Sequence, residues 1–192
     1  MRTLTAGDVI QSQHMEVRVQ AKPQKEAQTV TPEGKRIGKL IDGVRLHFPE
    51  THPDERGDLC EIFNPAWGLR ESPPVYAYQV TVRPGKVRGW VVHHEQDDWL
   101  FVSFGTLKIV LYDDREASPS RGKLNEICLS EHNRGVVVIP RGVFHAIQNI
   151  GEKAAMFINF PTQPYRHENP DKYRLPPNSD VIPYRFESRL GW

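Results

Sequence analysis

Residues 135–149 read GVVVIPRGVFHAIQN. An apolar run ends at Pro140, Gly142 permits a tight turn, and a second run carries His145 on to Asn149, so the stretch is strand, turn, strand with a histidine inside the second strand. Upstream, residues 85–105 read GKVRGWVVHHEQDDWLFVSFG and place Arg88, His93, His94, Asp97 and Asp98 between apolar segments. The same texture continues in VYAYQVTV, LKIVLYD, EICLS and AAMFINF, punctuated by Gly, Pro, Asn and Asp. Turn signals recurring at roughly eight to twelve residues predict an all-β sandwich or barrel. NPDKYRLPPNSDVIPY is rich in proline and predicts a loop-rich carboxy-terminal tail packed on that barrel.

At 192 residues the chain is long enough for one sizeable core and too short for two full domains. Residues 1–37 carry almost no apolar periodicity and are expected to form an extended or partly disordered arm, with residues 38–192 as a single domain and its tail. With 25 Lys and Arg against 24 Asp and Glu, no net field exists to recruit nucleic acid or an anionic membrane. The apolar runs are too short to span a bilayer, and MRTLTAGDVIQSQ lacks the apolar core of a signal peptide, so a cytoplasmic location is expected. Cys60 and Cys128 sit beside apolar neighbours in expected strands and are expected to be free, buried thiols.

Side chains alternate along a strand, so His93 shares a face with Val91 while Val92 and His94 share the other. His93, Asp98 and His145 could serve as metal ligands, as acid/base groups or as polar lining of a barrel lumen. Arg88 and Arg56 have the planar fork that suits a diphosphate.

Taken together, P-x-G-x-x-H-x-x-x-N from Pro140 to Asn149 and the first stretch, where Asp98 precedes Gly105 by seven, resemble the paired motifs of the cupin superfamily. That resemblance implies a cupin double-stranded β-helix, or jelly-roll barrel. Many cupins hold one divalent metal with such residues. On that reading His93, Asp98 and His145 would bind Fe, Mn, Ni or Zn, although Val91 stands where a further histidine is usual.

A narrower resemblance spans roughly residues 39–186. DERGDLCE, KVRGWVVHH, LYDDREASPSRG, the S-E-H-N run and the closing IPY are similar to the dTDP-4-dehydrorhamnose 3,5-epimerase family. Membership implies a homodimer that needs no cofactor and inverts carbons beside a 4-keto group on a nucleotide sugar. The family's base position falls on Val91, its acid tyrosine on Ile158 or Asn159, and its orienting carboxylate near Pro177 with Asp180 close by. Valine cannot accept a proton, so on this reading His93 is the candidate base and Tyr165 the candidate acid. Arg56, Glu61, Arg88 and His145 are the expected substrate contacts.

The principal expectation is therefore an epimerase-like cupin acting on or binding an NDP-4-keto-hexose in deoxysugar or surface-polysaccharide biosynthesis. A metal-dependent cupin built on His93, Asp98 and His145 is the alternative. A sugar-nucleotide-binding protein without catalysis is the third.

Overall fold

In the computed structural model, residue 25 and residues 27–33 and 38–186 are described. The chain divides after Gly38 into two units. The expected arm, residues 1–37, therefore lies largely outside the described residues; within it, Gln28 Nε2 donates to the Val30 carbonyl at 2.7 Å. All that follows concerns the second unit.

Its strands are β1 (Arg45–His47), β2 (Thr51–Asp54), β3 (Gly57–Cys60), β4 (Tyr78–Val82), β5 (Val87–Val92) and β6 (Asp98–Phe104). The remainder are β7 (Thr106–Asp113), β8 (Leu124–Ser130), β9 (Val136–Ile139), β10 (Val143–Asn149), β11 (Ala155–Pro161) and β12 (Tyr173–Arg174). Two five-stranded antiparallel sheets form the cupin jelly roll, ordered β1-β9-β6-β11-β4 and β12-β5-β10-β7-β8. β2 and β3 form a separate hairpin. Among the described residues no helix is long and apolar enough to cross a membrane.

Period-two alternation explains the layering. Leu100 and Val102 of β6 and Ile109 and Leu111 of β7 enter the core between the sheets. Their neighbours turn outward and are covered. Trp99 and Phe101 lie under Ile62, Phe63 and Trp67, while Val110 and Tyr112 lie near Ile182 and Phe186. The proline-rich tail thus seals one outer face, and the Trp90 indole N–H donates to the Pro177 carbonyl at 3.1 Å.

Gly89 explains the R-G-W sequence. Its φ is 134°, and a Cβ there would stand 2.6 Å from that of Ala146. Glycine alone lets β5 approach β10 this closely, beside a register shift between His145 and Ile147. The cysteines depart from expectation. Cys60 is half-buried and Cys128 exposed, because β8 is an edge strand whose outward face is uncovered at that position.

Candidate active site

β5 supplies Val91 and, one residue beyond its end, His93, while β10 holds His145 directly across from Val91. β6 opens with Asp98. His93, Asp98 and His145 are all buried, and one ligand atom from each lies within 4.8 Å of the others. Asp98 Oδ2 is 3.2 Å from His93 Nε2 and 3.5 Å from His145 Nε2, and Asp98 Oδ1 accepts from Gln96 Nε2 at 2.8 Å. Asp97 serves elsewhere: it accepts from Arg70 and from the Arg141 backbone N–H.

His93 Nδ1 meets the backbone carbonyl of Asp171. A carbonyl only accepts, so Nδ1 carries the proton and Nε2 is the nitrogen that can exchange one. The Asp171 carboxylate accepts backbone N–H groups of His94 at 2.9 Å and Glu95 at 2.7 Å, which fixes the turn that carries His93. Asp171 had only a weak signal in the sequence: an aspartate in a proline-rich loop looks like any turn residue.

His93, Asp98 and His145 line a recess of about 110 Å³, enough for about four waters by volume. Tyr78 of β4, Asn159 of β11, Lys172 and Arg174 complete its polar lining. The recess shares Arg88 and Arg174 with a groove of about 650 Å³ that also presents Arg83 and Lys86. Cations are thus concentrated beside the acid/base cluster, where sequence reading had singled out Arg88 alone.

Burial pushes the Asp98 carboxyl up, but the His93 hydrogen bond and the neighbouring imidazole charges outweigh it and hold the group at about 2. Burial pushes His93 down; its hydrogen bond to Asp98 and the charge there override this, leaving it above the ordinary value. His145 has no such direct bond, and burial depresses it to about 4. The cluster at neutral pH is therefore an anionic Asp98, a His93 that readily holds a proton, and a neutral His145. Tyr78 is 37% exposed overall, but partial burial of its hydroxyl, reinforced by Asp98, raises the phenol to about 12, so it stays protonated. Burial and then Arg174 lower the Lys172 ammonium.

Several expected residues lie elsewhere. Asn159 faces the recess, whereas Ile158 packs with the outer cluster around Trp99, which fixes the β11 register. Tyr165 is 44% exposed, packs edge-on against His167, and lines a separate cleft with Glu95 and Asp171. Arg56 sits at the β2–β3 turn, paired with Asp54, and Glu61 follows that hairpin and accepts from Asn64; neither lines the recess or the cationic groove of this chain. Asp180 pairs with Arg185 on the surface.

An antiparallel two-sheet barrel with acid/base groups in its lumen and arginines at its mouth is a cupin with a candidate small-molecule site. The chain belongs to the dTDP-4-dehydrorhamnose 3,5-epimerase family, whose model matches residues 39–182. It is 36% identical over 137 residues to the probable low-salt glycan biosynthesis epimerase Agl13 of Haloferax volcanii, covering 71% of this chain and 88% of that protein. It is 30% identical over 151 residues to the spore coat polysaccharide biosynthesis protein SpsL of Bacillus subtilis, covering 79% of this chain and 99% of the other. Among solved structures, a dTDP sugar isomerase from Desulfovibrio desulfuricans superposes with a TM-score of 0.71 at 26% identity, over 76% of this chain and 92% of that one.

Proposed function

We propose that this protein is an epimerase of NDP-4-keto-hexoses in surface-glycan biosynthesis, working in the cytoplasm as a homodimer without a cofactor. The observation that carries the reading is the recess itself. It combines an imidazole whose Nε2 faces the space, a phenol on a side chain that is 37% exposed, and cations around the space between them. The family relation supports the reaction class, and the glycan-pathway names of the relatives support the setting.

A carbon beside the 4-keto group loses its proton to His93 Nε2, whose raised pKa makes it the strongest base among the cluster's histidines and carboxylate. Asp98 holds that nitrogen in the free protein, so the sugar must enter between them. Negative charge moves to the C4 oxygen, where Lys172 and Arg174 provide positive charge. Arg88, with Arg83 and Lys86 in the adjoining groove, is suited to the diphosphate. His145 remains neutral and lines the sugar subsite. The test is incubation with dTDP-4-keto-6-deoxyhexose in D2O. Deuterium appears at C3 or C5 if the reading holds, and its absence from all NDP-4-keto-hexoses tried overturns it.

One observation favours a second reading. The Nδ1 atoms of both His93 and His145 face backbone carbonyls, of Asp171 and Val143, while both Nε2 atoms aim at one Asp98 oxygen. Metal-ligating histidines are oriented in this way. Separations of 3.2 and 3.5 Å also suit two edges of a tetrahedral site, which for bonds of about 2.1 Å are about 3.4 Å. His93, Asp98 and His145 would then hold Fe, Mn, Ni or Zn with positions open to substrate. A stoichiometric ion in protein purified without chelator, lost in His93→Ala, would establish this reading; its absence would remove it.

A further inference from the structure

The register of one strand pair relocates the phenol that the reaction needs. Asn159 of β11 stands directly across from Tyr78 of β4, and its Nδ2 donates to the Tyr78 hydroxyl at 2.8 Å. We propose that Tyr78 is the catalytic acid, supplied from the strand adjacent to β11, and that Asn159 is its positioning residue. The assignment rests on the epimerase reading above.

Three features carry it. First, Tyr78 lines the same recess as His93, which Tyr165 does not. Second, the two groups come from opposite sheets: Tyr78 is on β4, at the edge of one, and His93 follows β5 of the other. Inversion requires a proton to leave one face of the sugar ring and another to arrive at the opposite face, and two sheets facing each other across a lumen provide that arrangement. Third, because Asn159 donates to the phenol oxygen, that bond does not use the phenol's own proton, which is left to point into the recess. Asn159 Oδ1 is buried and has no partner among the described residues. A buried acceptor left unpaired in a substrate cavity suits a sugar hydroxyl, which would hold the ring against Tyr78.

The proton balance is simple. The C–H bond breaks as its proton passes to His93 Nε2, and the electron pair forms the enolate. The enolate carbon then takes the proton of the Tyr78 O–H bond on the other face, leaving a phenolate that accepts the Asn159 N–H bond. Water takes the proton from His93 and supplies one to Tyr78 before the next turnover.

The experiment follows two rates on dTDP-4-keto-6-deoxyhexose in D2O: deuterium entry at the substrate carbon, and formation of the inverted sugar. Y78F is expected to retain deuterium entry and lose inversion by about 10²–10⁴-fold, the usual contribution of a general acid. N159L, which keeps the phenol but not its orienting amide, is expected to slow inversion more than exchange, and it serves as the test if Y78F does not fold. Undiminished inversion in Y78F, or in N159L when that variant serves as the test, overturns the assignment. Equal loss of both rates in a folded variant overturns it as well. If the wild-type protein shows neither exchange nor inversion, the epimerase reading fails, and the assignment with it.

Discussion

His93 Nε2 and Asp98 Oδ2 lie 3.2 Å apart with both side chains buried, and each stabilises the charged form of the other. This pair is the source of a specific pH dependence. A general base works only when deprotonated, and Asp98 raises His93 above the ordinary 6.5. The acid limb of kcat/KM is therefore expected to lie above pH 6.5 in the wild-type protein. In Asp98→Asn the charge is gone while burial remains, so the limb should move to lower pH. A pH–rate profile that is unchanged by Asp98→Asn would remove His93 as the base.

His145 should make the fold sensitive to mild acid. Its folded-state pKa of about 4 lies below the unfolded value of 6.5, so its contribution is fully present above pH 6.5 and is lost as pH falls through 4. The linkage is worth roughly 3 kcal/mol, at about 1.4 kcal/mol per unit. His93 has the opposite sign: its contribution is present below 6.5 and is lost as pH rises through its raised folded pKa. Urea unfolding at pH 7 and pH 4.5 should show a smaller loss on acidification in His145→Gln than in the wild-type protein.

Arg88 should act on binding more than on chemistry, because it lies where the recess meets the cationic groove. A charge-assisted hydrogen bond contributes about 1.5–3 kcal/mol, so Arg88→Ala should weaken dTDP binding by roughly 10- to 100-fold in calorimetry. Equal affinity in the variant would place the diphosphate elsewhere.

Gly89→Ala should destabilise the barrel by about 3 kcal/mol or more, since a Cβ would overlap the Ala146 backbone at 2.7 Å and would also have to adopt φ 134°. Denaturant titration measures this directly, and a change under 1 kcal/mol would mean the two strands can separate at little cost.

Much of the barrel was legible because alternation and turn chemistry are local. The apolar runs from VYAYQVTV to AAMFINF became β4 to β11, and P-R-G marked the turn into β10. That His93 shares a face with Val91 was readable from the same period, whereas its grouping with Asp98 and His145 was suggested only by the cupin resemblance. What could not be read depends on which strands become neighbours. Tyr78 and Asn159 are 81 positions apart and meet only through the β4–β11 register. Lys172 and Arg174 lie in a tail whose course across β5 no periodicity encodes. Tyr165 illustrates the converse, since nearness in sequence to the end of β11 did not bring it into the recess.

The Asp171 contacts have a consequence for how the protein comes into being. The imidazole that follows β5 is aimed by a carbonyl 78 positions later, and the turn around it is held by the same residue's carboxylate. No strand from β4 to β11 contains that residue, yet the site needs it: the imidazole is aimed only once the segment that also covers Trp90 has docked. A chain ending at residue 170 is therefore expected to keep strand structure by circular dichroism while losing epimerisation. Recovery of activity in that chain would show that the barrel alone can aim His93.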